Sequence, residues 1–322
     1  GLPPWWSPAR DVILSTSLDL ETMWASALYK AITKKTARGW KISDVNESGL
    51  RIQRGQDLLH SADGTGWVPF ISRHLQDYLT TDNGAFVEVV HTSSAAGSKI
   101  LGLVHLDSLR CMRTGDLARP VLYRDDLGTE HELQAHQVLS FADMPSPRQT
   151  FHGVGRCAAS RAWETILKLE AMETYFREKV SGTRNLAIHL VSGITKPQLQ
   201  QALAQADAES AHKGHIVYRG AVIIPGLDTS ASNVNVVSIP LAEIPDGFNV
   251  QDERRDAYLR YANALGVPVQ DIQPLSGQGL GTGTQTEILD EAAAGQGLAA
   301  WDAQWEHALS FRVLPASTTF SF

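Results

Sequence analysis

One phrase of the chain carries residue types that metal chemistry uses. His131-Glu132-Leu133-Gln134-Ala135-His136 places a His–Glu pair near a second histidine. A zinc-binding helix needs its two histidines four residues apart to present them on one face, whereas here they are five apart. The segment also falls within a predicted hairpin, so we predict a surface strand here and no metal ligand set.

A glycine-rich phrase, Gly277 to Gly283, could cradle a phosphate. A phosphate-binding loop needs a preceding core strand, and a P-loop also needs a lysine at the following helix. Here a predicted helix ending at Val267-Pro268 precedes the phrase, and no lysine follows Ile224. A connecting loop is therefore favoured. The alternative, a nucleotide- or small-molecule-binding enzyme that uses loop 277-283, stays open.

Other candidate chemistry is weaker still. Gly153-Val154-Gly155 lacks the third glycine of a dinucleotide-binding fingerprint, since Ala158 stands there. The sequence has no Gly-x-Ser-x-Gly elbow and no convincing acid–base pair of carboxylates. Its two cysteines, Cys111 and Cys157, form no disulfide framework, which predicts a reducing, intracellular setting. We therefore predict a protein that is not an enzyme and has no cofactor.

Composition and charge narrow the class of protein further. The 322 residues are 43% hydrophobic and 20% charged, which excludes disorder. A net charge of −7 argues against tight phosphate binding, because nucleic-acid-binding domains carry a basic excess. No apolar run approaches the roughly 18 residues that a membrane-spanning helix needs. The chain begins without Met, so we expect a segment of a longer protein.

The element around which the sequence motifs are arranged is a predicted long helix near the middle of the chain. A short apolar strand, Val138 to Phe141, is stopped by Pro145 and Pro147, and the glycine turn follows. No helix breaker then occurs until Gly182, which predicts a helix of about seven turns. Its apolar residues occur on more than one side, so we expect burial against neighbouring elements, including a neighbouring subunit: Trp163, Ile166, Leu167, Leu169, Met172 and Phe176.

The remaining periodicity predicts an α+β arrangement. Trp5 and Trp6 lie in an extended arm and need either the chain's own core or a neighbour to pack on. Helices are predicted at 20–36, 66–79, 196–211, 251–265 and, with interruptions, 286–311. Strands are predicted as a pair within 40–52, and at 85–91, 100–109 with a possible extension to 113, 120–124, 130–133, 186–190, 215–219, 221–224, 233–239 and 318–322.

Four segments of the chain resemble the portal proteins of tailed bacteriophages, and they occur along the chain in the order that this family shows. The strand, glycine turn and helix start from Val138 to Ser160 resemble that family's entry into a long helix. The strands at 82–89 and 100–107 resemble its paired wing strands. Tyr261 to Pro268 resembles its helix ending in a Gly-Val-Pro phrase.

The resemblance implies an α+β, portal-type fold with an α/β wing domain, long stem helices and a small α/β clip. In chain order it implies a wing-like domain at 1-150, a first stem helix at 151-182, a clip at 183-250, a second stem helix at 251-267, a tunnel loop at 268-284, and a helix and strand returning to the wing at 285-322.

The resemblance also implies a function: a structural ring, a dodecamer in the virion, at one capsid vertex. The ring forms the channel for packaging and ejection of double-stranded DNA, which passes without sequence-specific contacts. Expected partners are the terminase, a head-completion or adaptor protein, and the major capsid and scaffolding proteins, with no membrane. Assembly is expected in the host bacterial cytoplasm. Another head–tail connector component is a further alternative.

Two sets of site residues follow from the resemblance and from the glycine turn. Gly153 and Gly155 form the predicted turn at the start of the long helix. The tunnel loop is expected to line the channel through Gln278, Leu280, Thr282, Thr284 and Gln285.

Overall fold

The computed structural model describes residues 22–46, 49–181, 187–192, 197–198, 200–201, 204, 221–223, 235–240, 249–272 and 298–322. The chain divides into two compact units. One comprises Gly1–Lys168 with Arg254–Phe322, and the other comprises Leu169–Glu253. The boundaries between them fall inside two helices.

The described elements are mixed α and β, as the sequence predicts. The helices are α1 (Thr22–Thr36), α2 (Gly49–His60), α3 (Trp67–Thr80), α4 (Ala158–Ser181), α5 (Val250–Leu265), α6 (Val269–Ile272) and α7 (Ala299–Ala308). The strands are β1 (Lys41–Asp44), β2 (Ala85–His91), β3 (Ile100–Leu106), β4 (Cys111–Arg113), β5 (Val121–Arg124), β6 (Glu130–Leu133), β7 (Val138–Phe141), β8 (Ala187–Ser192), β9 (Ala221–Ile223), β10 (Asn235–Pro240) and β11 (Thr318–Ser321).

Two three-stranded sheets of the first unit pack on one another. Their strand orders are β3-β2-β7 and β4-β5-β6, and all pairs are antiparallel. Each of the six strands contributes one buried residue to the cluster between the sheets: Phe86, Leu106, Cys111, Val121, Leu133 and Val138. The predicted hairpin of β5 and β6 is confirmed, and His131 lies on strand β6 as expected.

The other face of the β3-β2-β7 sheet is covered by helices. Alternation along β2 directs Val87 and Val89 away from the second sheet, and both are buried. On this side Phe141 of β7 stacks on Trp305 of α7, with ring centroids 4.6 Å apart. Helix α3 buries Phe70, Ile71, Leu75 and Leu79 along one stripe. The result is a layer of helices on two layers of sheet.

The predicted strand pair at 40–52 is wrong in its second half. Gly49 starts helix α2, and β1 instead pairs with β11 at the far end of the chain, in the register Ile42↔Phe320. Helix α2 lies close to this ribbon, because a Cβ at Gly55 would come within 2.8 Å of the Ile42 side chain and 2.9 Å of Leu314. A local pattern could not show a strand partner this distant in sequence.

The predicted extension of the strand from 100–109 to Arg113 is also wrong. Strand β3 ends at Leu106, and the Asp107 side chain accepts a hydrogen bond from the Leu109 backbone N–H at 2.9 Å. A single 3₁₀ turn, Ser108–Arg110, follows. The turn moves the chain from one sheet to the other, so Cys111 begins β4.

Helix α4 confirms the predicted long helix, with 24 residues. Near the end of the chain, α7 continues into a π-helix, Leu309–Val313, in which Leu314 N–H donates to Leu309 O at 2.8 Å. The sequence did not predict this π-helix. The predicted elements at 215–219 and 286–297, the arm with Trp5 and Trp6, and most of 196–211 lie outside the described residues.

The second unit contains its own small sheet, in the order β10-β8-β9. Strand β8 pairs antiparallel with β10 and parallel with β9. The strands predicted at 186–190, 221–224 and 233–239 are thereby confirmed.

Candidate functional site at the start of the long helix

The turn between α3 and β2 caps the start of helix α4. Asp82, 1% exposed, accepts the backbone N–H of Cys157 at 3.0 Å and the Ser160 hydroxyl at 2.5 Å on its carboxylate. Its backbone carbonyl accepts the Gly155 N–H at 2.9 Å. The first N–H groups of a helix lack intrahelical partners and attract negative charge, so a buried carboxylate here stabilises the helix start.

Three backbone segments meet at the start of helix α4, around Gly84, around Phe141 to Asp143 and around Gly155, and we call this meeting point the junction. Glycines allow these segments to touch. A Cβ at Gly155 would lie 2.1 Å from Asp143 O, and a Cβ at Gly84 would lie 1.9 Å from Phe141 O. No side chain fits at either point. Gly153 has a φ of +78°, a left-handed conformation that favours glycine. The predicted glycine turn is therefore a place of close approach as well as a change of direction.

Arg161, one turn into α4, ties the junction to helix α5. Its Nη2 lies 2.6 Å from Asp143 Oδ2 and donates to Ala264 O at 2.6 Å. Burial raises the pKa of Asp143, and the Arg161 guanidinium opposes that rise. The ion pair is mostly shielded from water, which makes its loss more costly than that of a surface pair.

Arg113 joins the second sheet to the same junction. Its Nη2 donates to Asn83 O at 2.8 Å, and its guanidinium lies 4.8 Å from the Phe86 ring centroid. The Asn83 amide in turn donates to Cys111 O at 2.8 Å. Burial lowers the pKa of Arg113 to about 10, so the side chain stays charged at neutral pH.

A neutral histidine lies beneath the junction. His74 is fully buried, and its Nδ1 lies 3.2 Å from the indole Nε1 of Trp301 and 3.4 Å from that of Trp305. Because both indoles donate, Nδ1 is the acceptor and Nε2 carries the proton. Burial, aided by the nearby His105, holds the pKa of His74 well below its usual range. This histidine organises the aromatic core and has no access to a substrate.

The two thiols are similarly inert. Cys111 and Cys157 are free and buried. Burial raises the pKa of both thiols well above the usual range, so neither forms a thiolate at neutral pH. In the described part of the chain, no group of three or more His, Cys, Asp or Glu side chains is arranged to hold a metal ion. No helix among the described residues is long and apolar enough to span a membrane.

The structure brings together the sequence phrases that lie far apart. Strands β2, β3 and β7 form one sheet, the Asp82 turn caps α4, and Arg161 reaches the end of α5. Gly153 and Gly155 lie at this junction. The other predicted site residues, Gln278, Leu280, Thr282, Thr284 and Gln285, lie outside the described residues. Sequence reasoning missed Asp82 and Arg161, whose partners are distant in the chain.

This arrangement is the fold of tailed-phage portal proteins. The chain is similar to the crystal structure of an HK97 family phage portal protein from Corynebacterium diphtheriae, with a TM-score of 0.55, 11% identity, and coverage of 96% of this chain and 95% of the other. It is also similar to a chain from the neck of an empty GTA particle computed with C6 symmetry, with a TM-score of 0.64, 14% identity, and coverage of 100% and 86%.

A third similar structure extends the comparison. A chain from the neck of a native gene transfer agent (GTA) particle computed with C12 symmetry gives a TM-score of 0.58 at 14% identity, covering 98% of this chain and 84% of the other. No protein-family model and no curated protein sequence matches the chain. The likeness is therefore one of fold.

Proposed function

We propose that this chain is the subunit of a portal ring, a structural component of a phage or phage-like particle. The observation that carries the proposal is the fold likeness over nearly the whole chain to a phage portal protein and to two particle necks. The ring forms the channel through which double-stranded DNA is packaged and ejected. It docks a terminase during packaging and a head-completion or adaptor protein afterwards, within a shell of capsid protein.

Exposed leucines on the two long helices support a ring. Leu167 on α4 is 44% exposed and Leu259 on α5 is 46% exposed, although neighbouring positions on both helices are buried. In a ring, one surface of each subunit meets a different surface of the next. Exposed leucines on two different helices suit such a contact.

The charge distribution supports a channel that DNA can slide through. Each phosphate that a protein neutralises adds binding free energy, which translocation must then overcome. The chain carries a net charge of −7 and has no Lys or Arg from Leu265 to Phe311. We propose that the tunnel loop at 268-284 faces DNA through Gln278, Leu280, Thr282 and Thr284, together with the adjoining Gln285.

Mass measurement of the purified protein tests the ring. Native mass spectrometry and negative-stain images should show closed rings, because head-to-tail contacts form a ring when the rotation between subunits closes. From the likeness to portal proteins we expect about twelve subunits in each ring. A monomer at micromolar concentration would contradict the proposal. An enzyme that uses loop 277-283 would instead show stabilisation by a nucleotide or a small molecule.

The tunnel loop has its own test. Deleting Gly277 to Gly283 should leave rings intact and impair DNA packaging or retention. Lysines at Gln278 and Thr282 should make rings bind duplex DNA at low salt and release it as salt rises, since counterion release then favours contact. If rings with these lysines bind DNA no more tightly than the parent rings at low salt, the loop does not face the channel.

A further inference from the structure

Strand β7 lies at an edge of its sheet, and part of that edge is open. Val89 N–H donates to Gln137 O at 2.8 Å, which makes Val89 and Gln137 a hydrogen-bonded pair. Hydrogen-bonded and non-hydrogen-bonded pairs alternate along an antiparallel ladder. The backbone groups of Val138 and Ser140 therefore point away from β2.

Side chains cover the positions on either side of Ser140. Arg312 Nη2 donates to Val138 O at 3.0 Å and also to Ala135 O. Gln304 Nε2 donates to Ala142 O at 3.4 Å. Ser140 itself is exposed, and within the described residues nothing donates to or accepts from its outward backbone groups. Neither outward backbone group of Ser140 is paired, whereas the carbonyls of Val138 and Ala142 on either side are covered, and unpaired strand edges recruit other strands.

A cavity of about 380 Å³ opens at this position. Leu139 and Phe141 line one side, and Ala303 and His307 of α7 line the other. Phe311 on the π-helix is 77% exposed, and its ring lies 4.9 Å from that of His307. The cavity and this aromatic pair offer apolar surface to a side chain.

The cavity also presents a positive charge with no counter-charge. Arg312 lines it, remains accessible to solvent, and makes both of its hydrogen bonds through Nη2 to backbone carbonyls. Among the described residues no carboxylate pairs with Arg312. Burial lowers the pKa of its guanidinium, yet arginine stays charged at neutral pH. Its Nη1 makes no hydrogen bond among the described residues and can donate to a carboxylate oxygen.

We propose that this cavity receives an extended peptide segment of a partner protein, whose backbone pairs with Ser140 and whose carboxylate pairs with Arg312. This is strand addition at a sheet edge: main-chain hydrogen bonds fix the segment, and the cavity selects its side chains. The site requires only contacts within one chain, so it does not rest on ring assembly.

Two libraries of acetylated, amidated heptapeptides test the site, one with Glu and one with Gln at the central position and the other positions random. The purified protein is immobilised, and mass spectrometry quantifies the retained peptides. The Glu library should be retained about tenfold more than the Gln library, because an ionised carboxylate forms a stronger, charge-assisted hydrogen bond with Arg312 than a neutral amide does. Arg312→Gln should abolish that preference, because glutamine can still donate to a carbonyl but carries no charge.

A second variant separates the backbone from the charge. Ser140→Pro removes an outward amide without touching the hydrogen bonds to β2, so it should reduce retention of both libraries while the Tm stays close to that of the parent. Ser140→Thr keeps the amide and should bind like the parent.

Equal retention of the two libraries by the parent protein would overturn the proposal. So would a Glu preference that survives Arg312→Gln. Self-association on light scattering that Ser140→Pro removes would show that a second copy of this chain, and no separate partner, occupies the cavity.

Discussion

Asp82 and Cys157 are 75 residues apart in sequence, and the side chain of the first caps the helix that follows the second. The Asp82 carboxylate accepts the Cys157 backbone N–H at 3.0 Å and also the Ser160 hydroxyl. Local N-caps are usual in proteins, whereas this cap comes from another part of the fold. It therefore links formation of the β3-β2-β7 sheet, which Asp82 immediately precedes in the chain, to the start of helix α4.

Asp82→Ala should lower the free energy of unfolding by about 1–3 kcal/mol, because it removes a cap and leaves buried donors unsatisfied. Urea unfolding measures the change. Asp107→Ala is the matched control, since Asp107 caps a single 3₁₀ turn at an exposed site. Equal losses for the two variants would contradict a special role for Asp82.

Gly155→Ala should destabilise the chain strongly. Its Cβ would lie 2.1 Å from Asp143 O, a backbone atom that also accepts the Arg156 N–H at 2.8 Å. Gly102→Ala introduces the same methyl where nothing lies within 4 Å, and it should change the Tm little. Thermal unfolding of the two variants decides the matter, and a similar Tm for both would mean that the junction relaxes easily.

The sequence predicted the elements of this junction but not their contacts. Periodicity and turn residues are local, so α4, the β5–β6 hairpin and the glycine turn could be inferred. The partners of Asp82 and Arg161 depend on the packing of distant segments, as does the pairing of β1 with β11. The strand predicted after Asn46 was wrong for this reason. The true partner of β1 is β11, which is distant in sequence, so Gly49 was interpreted as part of a turn between two local strands.

Buried His74 should make the protein less stable in mild acid. In the unfolded chain this histidine takes up a proton as the pH falls through about 6.5, while burial keeps the folded pKa well below that value. The unfolded state then binds more protons, so stability declines as the pH falls below 6.5.

Urea unfolding between pH 7.5 and 5 measures this pH dependence. His74→Asn keeps an acceptor for the indole N–H groups and removes the titration, so its stability should depend less on pH. His307→Gln, at an exposed position, is the control and should keep the dependence of the parent. An unchanged pH dependence in His74→Asn would show that other groups cause it.

Neither cysteine should react with a maleimide in the folded protein. Cys111 is 6% exposed and Cys157 is 1% exposed, and burial raises the pKa of both thiols. Leu127→Cys, at a site that is 91% exposed, is the positive control and should be labelled within minutes. If the folded parent protein were labelled as fast as the urea-unfolded protein, the regions around Cys111 and Cys157 would have to open readily.

Substitutions at Leu167 and Leu169 on α4 distinguish the contribution of this helix to ring assembly from its contribution to folding. Both lie on the helix that was expected to be buried against neighbours, including a neighbouring subunit. Leu169 is 3% exposed within the single chain, whereas Leu167 is 44% exposed. Leu167→Asp should therefore leave a folded subunit and prevent ring closure, because an unpaired carboxylate would be buried at each contact, at a cost of at least about 2 kcal/mol.

Leu169→Asp should instead unfold the chain, which circular dichroism would show. Leu127→Asp introduces the same charge on an exposed hairpin turn and should leave rings intact on native mass spectrometry. Rings that survive Leu167→Asp would remove this face of α4 from the interface. Rings lost in Leu127→Asp as well would mean that added negative charge alone dissociates the assembly, and the contact would then have to be located by cross-linking.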